Sequence, residues 1–412
     1  RGVTTTYAYD AAGSLANIAY SDDTPDVAFT YDRLGRMASA TVAGVSTNLF
    51  TYDALDLVSE TQNGVLITRS TDSLGRSSGF SLGPDYAVEY AYDAYGRFQS
   101  LTSASSATSA VTFTYSYLPD TDLVSSMTAS SGFLWTRAYE SARSLITSVE
   151  NRHGETVLSR YDYTNDELGR RTAISRSGQA FGEMPVRDTY GYNLRSEVTS
   201  ARRTPVGSQT EVRGFSYDYG YDPIGNRVTS TEYDHEDNAL VSAYTANALN
   251  QYERRTVPGY AGVRGTATNT ATVTVNGNPA WRLDEYFYGG DEADNSLAAV
   301  MKQLAITAVY YPTGTNTPDI VTSQTGRVFV AQTPEQFQYD EDGNLTQDGR
   351  FTYTWDAENR LISATTRADL PASVPCVKVS YFYDHQSRRI ASATATWTNN
   401  VWQAAESHAF LY

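Results

Sequence analysis

Phe29-Thr30-Tyr31-Asp32-Arg33-Leu34-Gly35-Arg36-Met37-Ala38-Ser39-Ala40-Thr41-Val42 is the stretch on which the fold turns. Phe29 and Tyr31 stand two residues apart, which puts both rings on one face of an extended strand. Asp32 can accept backbone N–H bonds in an Asx-type turn, and Gly35 can take a positive φ without a Cβ clash. From Arg36 to Val42 the strand pattern resumes. The stretch therefore reads as strand, turn, strand.

Outward from there the same unit recurs. It stands as Tyr9-Asp10 with Gly13, Tyr90-x-Tyr92-Asp93 with Gly96-Arg97, Tyr219-x-Tyr221-Asp222 with Gly225-Asn226, and Phe337-x-Tyr339-Asp340 with Gly343-Asn344. Asp72 with Gly75-Arg76 and Asp166 with Gly169-Arg170 keep the turn after altered strands. Asp56 and Asn359 fall where glycine would stand and tolerate the left-handed region, whereas Ser387 is a poorer substitute. Further degenerate strands are expected at Phe113-x-Tyr115, Tyr161-x-Tyr163, Tyr190-x-Tyr192 and Tyr244. The motif aspartates Asp10, Asp32, Asp53, Asp72 and Asp93 are spaced by 22, 21, 19 and 21 residues. That period is too short for a helical-pair repeat and suits a repeating β unit. Glycines 35, 96 and 225 are expected at positive φ, and the motif rings and aspartates are assigned to packing and turn-capping.

The chain has 412 residues, with 31 Lys plus Arg against 47 Asp plus Glu, a net charge of −16. An electrostatic grip on nucleic acid or an anionic membrane is a poor expectation for it. Only Lys302 and Lys378 are lysines; arginine, the cation that stacks on rings, dominates beside 32 tyrosines. Cys376 is alone, which excludes an internal disulfide framework and cysteine-rich metal sites. No window approaches the roughly 20 apolar residues of a membrane-spanning helix. A start without methionine and an end on Ala409-Phe410-Leu411-Tyr412 read as a piece of something longer, so missing targeting signals say nothing of a parent.

Between about Tyr252 and Glu335 the rhythm lapses. Thr266 to Val275 is strongly β-prone, Asn276-Gly277 is a hairpin-like turn, and Trp281 to Tyr288 begins another strand. Leu297, Val300, Met301 and Leu304 have helical spacing after the acidic run 291–294, so a short helix is expected near 296–304. Pro312 to Pro318 reads as an exposed loop. The organisation is a repeat region over 1–252, a divergent repeat or insertion over 253–336, and a further repeat region over 337–412, in one continuous architecture.

The Tyr-Asp-x-x-Gly-Arg/Asn units, together with Tyr244-Thr-Ala-Asn-Ala-Leu-Asn250-Gln251-Tyr252 and Phe351-Thr-Tyr353-Thr-Trp355-Asp356-Ala-Glu-Asn359-Arg360-Leu361, resemble the RHS or YD-repeat proteins. These include the C component of insecticidal toxin complexes and the teneurins. The resemblance covers nearly the whole chain and is weakest over 253–335. It implies an all-β ribbon spiralling into a hollow or partly open shell. Toxin-bearing relatives enclose an effector polypeptide in such a shell, and teneurins use related shells in adhesion. Relatives that release cargo resemble aspartyl proteases with an Asp-Pro-x-Gly context. Asp222-Pro223-Ile224-Gly225 matches it once, within a regular turn, so Asp222 is not assigned as catalytic.

Other chemistry has little foothold. His153, His235, His385 and His408 form no metal-ligand motif, Asp340 to Asn344 lacks the alternation of a calcium loop, and no phosphate-binding or nucleophile-elbow motif is present. Catalytic residues stay unassigned, and no cofactor or metal is expected. Two alternatives to a shell remain. A lyase acting on uronate-containing polysaccharides would draw its base, acid and cation from Arg152-His153 or from Arg227, Tyr233 and His235. A glycan-binding or adhesion module would stack sugars on Trp135, Trp281, Trp397 or Trp402. Expected partners are a polypeptide cargo or neighbouring parts of a longer parent, with a polysaccharide as the alternative; nucleic acid and direct membrane insertion are not expected. The parent is expected outside the cell or at its surface.

Overall fold

The computed structural model describes residues 2–312 and 317–412, and most of them lie in antiparallel strands, the rest chiefly in the turns between strands. Along the repeat regions each strand pairs with its neighbours in sequence. Thr5–Tyr9 pairs with Leu15–Tyr20, that strand with Val27–Tyr31, and so on to Tyr252–Arg255. There Arg254 and Arg255 pair with Gln336 and Glu335, so the chain rejoins the edge of the ribbon after the divergent segment. From Gln338–Tyr339 to Val401–Ala409 a 7-stranded sheet continues in chain order. Among the described residues the one helical element is a 3₁₀ turn, Gln179–Phe181.

The ribbon is one sheet thick. Along Val27–Tyr31, Val27 is buried while Ala28 and Thr30 are exposed, the alternation of a sheet covered on one side only. The solvent-accessible surface is 23345 Å². A compact monomer of this mass would expose about 16,000 Å². The chain thus exposes roughly half again as much as a solid globule, and its fully buried side chains are correspondingly few.

The divergent segment is built differently. Tyr260–Thr266, Tyr286–Glu292 and Trp281–Leu283 form a 3-stranded sheet. Thr272–Val275, Asn278–Pro279, Val300–Tyr310 and Ile320–Val330 form a 4-stranded one. Between them Ala261, Val275, Ala293, Leu304 and Val330 make an apolar core, with Val257, Val263 and Ile306 against it. Asn276 and Gly277 turn the hairpin at φ 50° and 84°.

Two expectations are corrected here, and a third falls partly outside the described residues. Residues 296–304 hold no helix: Leu297 is exposed, and Val300 opens an 11-residue strand. Positions 300, 301 and 304 fit a 3.6 period, but Val300, Leu304 and Ile306 also fit a period of 2, and that face meets the core. Thr266 to Val275 is two strand pieces split at 267–271, where Ala267 and Ala271 bond to Glu285 and Thr268 carbonyls. Of the loop expected from Pro312 to Pro318, residues 313–316 lie outside those described.

Candidate functional site

The repeated turn is a hydrogen-bonded cap with fixed grammar. Asp32 N–H donates to the Arg36 carbonyl at 2.9 Å, and Gly35 N–H donates to the Asp32 carbonyl at 3.0 Å. The Asp32 Oδ1 accepts from the Leu34 and Arg36 amides at 2.8 and 3.0 Å, while Oδ2 accepts from Arg36 Nε at 2.7 Å. Asp72, Asp93, Asp166, Asp356 and Asp384 repeat this set. The Arg36 side-chain bond, aided by the turn amides, holds the Asp32 carboxyl below the usual carboxylate range. Gly35, Gly96 and Gly225 take φ of 78°, 81° and 96°, as expected.

The motif arginine also ties one turn to the next. Arg36 Nη1 donates to the Ala54 carbonyl, Arg97 Nη1 to Thr121 at 2.7 Å, and Arg170 Nη1 to Asn193 at 3.3 Å. Their guanidinium groups stack on the following tyrosines, Arg36 over Tyr52 at 4.5 Å, Arg76 over Tyr92 at 4.2 Å and Arg97 over Tyr117 at 4.3 Å. The same tyrosines reach back: Tyr92 Oη donates to the Ser77 carbonyl at 2.8 Å and Tyr117 Oη to Phe98 at 2.5 Å. One ladder of caps, cations and rings therefore runs along the ribbon's turns.

Sequence reading missed several rungs. Asn193, with Ser196 at φ 65°, and Asn247, with Asn250 at φ 63°, are full turns in which an amide oxygen replaces the carboxylate. Asp234, with Asp237 at φ 78°, is another, so Tyr233 to Asn238 is a motif turn rather than a loose polar loop. At Tyr52-Asp53 the expectation fails differently: Ala54, at φ 48°, takes the left-handed position and Asp56 pairs across to Asp53 as a strand residue. Asn359 and Ser387 do take positive φ, at 57° and 60°.

The two ends of the spiral meet in a polar seam. Ala357 N–H donates to Thr24 Oγ1 at 2.8 Å, and Tyr20 Oη donates to Glu358 at 2.7 Å. Buried Glu60 accepts from Asn48 at 3.2 Å, Gln62 at 2.8 Å and Arg69 at 2.9 Å, with Arg388 at 3.5 Å. Gln62 brackets the last residue: its Nε2 donates to the Tyr412 carbonyl at 2.6 Å, and its Oε1 accepts from Tyr412 N–H at 3.0 Å. Burial works against the Glu60 charge, but the bonds from Arg69, Gln62 and Asn48 prevail and hold its carboxyl below the ordinary range. The contact is through side chains, so the ribbon overlaps itself without a shared ladder.

The side chains weighed for catalysis are occupied elsewhere. Asp222 caps its turn, accepting from Ile224, Asn226 and the Asn226 side chain at 3.0, 2.8 and 2.9 Å. His153 Nε2 bonds the Ser131 carbonyl at 3.1 Å, and His235 Nδ1 meets Tyr260 Oη at 2.9 Å. Tyr233 donates to Asp218 at 2.6 Å; that bond, then burial, raises its pKa and moves it away from acting as a base. Arg152 pairs with Glu150, and Arg227 sits over Tyr219 and Tyr244. No hydrogen bond, ion pair or ring contact among the described residues links His153 to His235; they sit on the strand Ile146–His153 and on the turn after Arg227–Tyr233. Trp135 lies under Arg137 and Trp281 under Arg213, while Trp397, half exposed, pairs edge-on with Trp402 at 5.2 Å. The cavity between ribbon and inserted sheets, about 430 Å³, is lined by Ser242, Tyr260, Phe329, Arg350 and Tyr353. Its ionised pair Arg255–Glu335 is internally satisfied. No group of three or more His, Cys, Asp or Glu among the described residues is placed to hold a metal ion, and no described helix is long and apolar enough to cross a membrane.

No family model matches the chain. A 79-residue stretch, 19% of the chain, is 37% identical to the tRNA nuclease WapA of Bacillus subtilis (strain 168). The tRNA(Glu)-specific nuclease WapA of Bacillus subtilis subsp. natto (strain BEST195) matches equally over 79 residues. The match spans 3% of either protein's length. Among solved structures, one of TcdB2-TccC3-Cdc42 aligns over 97% of this chain and 21% of its own, with a TM-score of 0.52 at 13% identity. One of TcdB2-TccC3-TEV aligns over 99% and 21%, also at 0.52 and 13%. The chain shares the fold of the aligned stretch of these structures, and its Tyr-Asp turns resemble those of RHS, or YD-repeat, shells. In this ribbon the turn ladder, the seam and the inserted sheets are the features that distinguish one stretch from another.

Proposed function

We propose that this chain is a non-enzymatic stretch of shell wall that encloses or presents a polypeptide, within a parent that works outside the cell or at its surface. The observation that carries the reading is the thin wall: 23345 Å² of exposed surface where a solid globule of this mass needs about 16,000 Å². A ribbon one sheet thick, stiffened by turns and overlapping at its ends, has the form of a container. The titratable groups near its cavities are engaged with one another rather than converging on an open point. The segments 1–252, 253–336 and 337–412 serve one architecture, the middle one as an elaboration of the wall.

Small-angle scattering tests the wall. A solid domain of 412 residues would have a radius of gyration of about 22 Å. A clearly larger value is expected; one at or below that figure sinks the container reading. Enclosure is tested on the parent polypeptide by limited proteolysis, where enclosed segments should resist cleavage until the ribbon is cut. Equal digestion before and after would leave a wall with no contents. Incubation with uronate-containing polysaccharides should yield no unsaturated product absorbing near about 235 nm. Product formation abolished by substituting His153 or His235 would establish the lyase instead.

A further inference from the structure

In most motif turns the residue after the aspartate faces water: Arg33, Ser73, Ala94 and Pro223 are all exposed. At the seam that position turns inward. His385, which follows Asp384, packs in T-shaped contacts with Phe29 and Phe50, the ring centroids 6.2 and 6.0 Å apart. Both of its ring nitrogens are buried with no hydrogen-bond partner. The charged groups around it are Asp384 and Arg388 of its own turn and Glu60 from the neighbouring strand, which Arg69 also holds.

We propose that His385 makes the seam an acid-sensitive latch: a neutral imidazole fits against Phe29 and Phe50, an imidazolium does not, and acidification frees the 384–388 turn from the first strands. A cation in that slot has no acceptor to replace water and has Arg388 close by. The proposal rests on the shell reading only for its consequence, which is release of what the wall encloses.

The sign follows from linkage. Burial lowers the His385 pKa below its ordinary value; Asp384 and Glu60 oppose that, and Arg388 adds to it. The closed seam keeps its full stability above the ordinary histidine pKa of about 6.5. As pH falls further, the open form binds a proton that the closed form refuses, and the opening constant rises by up to about tenfold per pH unit. Glu60, held below the carboxylate range, keeps its charge until lower pH. The interval from about 6.5 to about 4.5 therefore belongs to His385.

Hydrogen exchange of the whole chain at pH 7.5 and 5.5, corrected for intrinsic rates, tests the latch. Peptides containing Phe29, Phe50 and residues 384–388 should exchange up to about tenfold faster at the lower pH, with the turns at Asp93 and Asp166 unchanged. His385→Phe, which keeps an aromatic ring without a titrating group, should abolish the response. His385→Asn serves as a second non-titrating variant if the first does not fold. A seam indifferent to pH, an undiminished response in a folded variant, or an imidazole titrating at its ordinary value by NMR overturns the proposal. Because the chain is measured without cargo, failure of the latch and failure of enclosure give separate results.

Discussion

The ribbon and the inserted sheets solve the same problem with different physics. In the ribbon the turns carry the order: a carboxylate caps, a glycine reverses the chain, and an arginine bridges to the next rung. Apolar burial there is thin, with Leu49 and Leu66 about half exposed. The inserted sheets instead close on Ala261, Val275, Leu304 and Val330, each under a tenth exposed. One glycine from each region illustrates the difference. Gly35 has φ of 78° and open space where a Cβ would stand, whereas a Cβ on Gly289 would meet Val275 Cγ2 at 2.6 Å. The ribbon is thus ordered largely by local polar grammar, while the inserted sheets add an apolar core between themselves and bury Tyr286 against Val186 and Val212 of the ribbon.

The sharpest way to break the comparison is to delete a side chain from each region. Leu304→Ala empties part of a closed core and should cost about 2–5 kcal/mol. Leu49→Ala, on the half-exposed ribbon, should stay within about 0.5 kcal/mol. Exchange protection should vanish from Val300–Tyr310 and its neighbours in the first variant while the ribbon turns keep theirs. Equal losses in the two variants would show that the regions share one cooperative core.

Next come the glycines. Gly35→Val should cost about 1–3 kcal/mol through backbone strain alone, because nothing crowds the new side chain. Gly289→Ala should cost about 1–3 kcal/mol through overpacking against Val275 and Ala280. Replacing Val275 with Ala in the Gly289 variant should recover part of that loss, and no second-site truncation should rescue Gly35→Val. Denaturant midpoints of the singles and the double decide it.

How much of this was written in the sequence follows from how local each feature is. The Asp-x-x-Gly turn is complete within five residues, so Asp32, Asp93 and Asp222 announced themselves. Asn193 and Asn247 did not, because only Oδ1 is needed for the backbone bonds and an amide supplies it as well as a carboxylate. Asp237 and Ser196 hid for a related reason: they accept a left-handed backbone without being glycine. The helix expected at Val300 gives way to a strand because Val300 and Leu304 fit both periods, and only packing against the Val330 cluster chooses between them. The seam was out of reach. Gln62 and Tyr412 are 350 residues apart, and nothing near either one predicts the other.

The smallest effect concerns a position where the two grammars overlap, the seam turn of the last sheet. Ser387 holds φ of 60° where most copies of the motif carry glycine, and no hydrogen bond of its hydroxyl offsets that conformation. A Cβ in the left-handed region costs about 1–2 kcal/mol, part of which glycine returns as greater freedom of the unfolded chain. Ser387→Gly should therefore stabilise by about 0.5–1 kcal/mol. If the ladder is governed by backbone fit alone, the gain should appear in global stability at pH 7.5. A stabilisation confined to the 384–388 turn, without a shift in the denaturant midpoint, would mean that the seam opens independently of the ribbon. A loss of stability would mean that the serine Cβ packs at the seam, and that even the turn ladder borrows from apolar contact there.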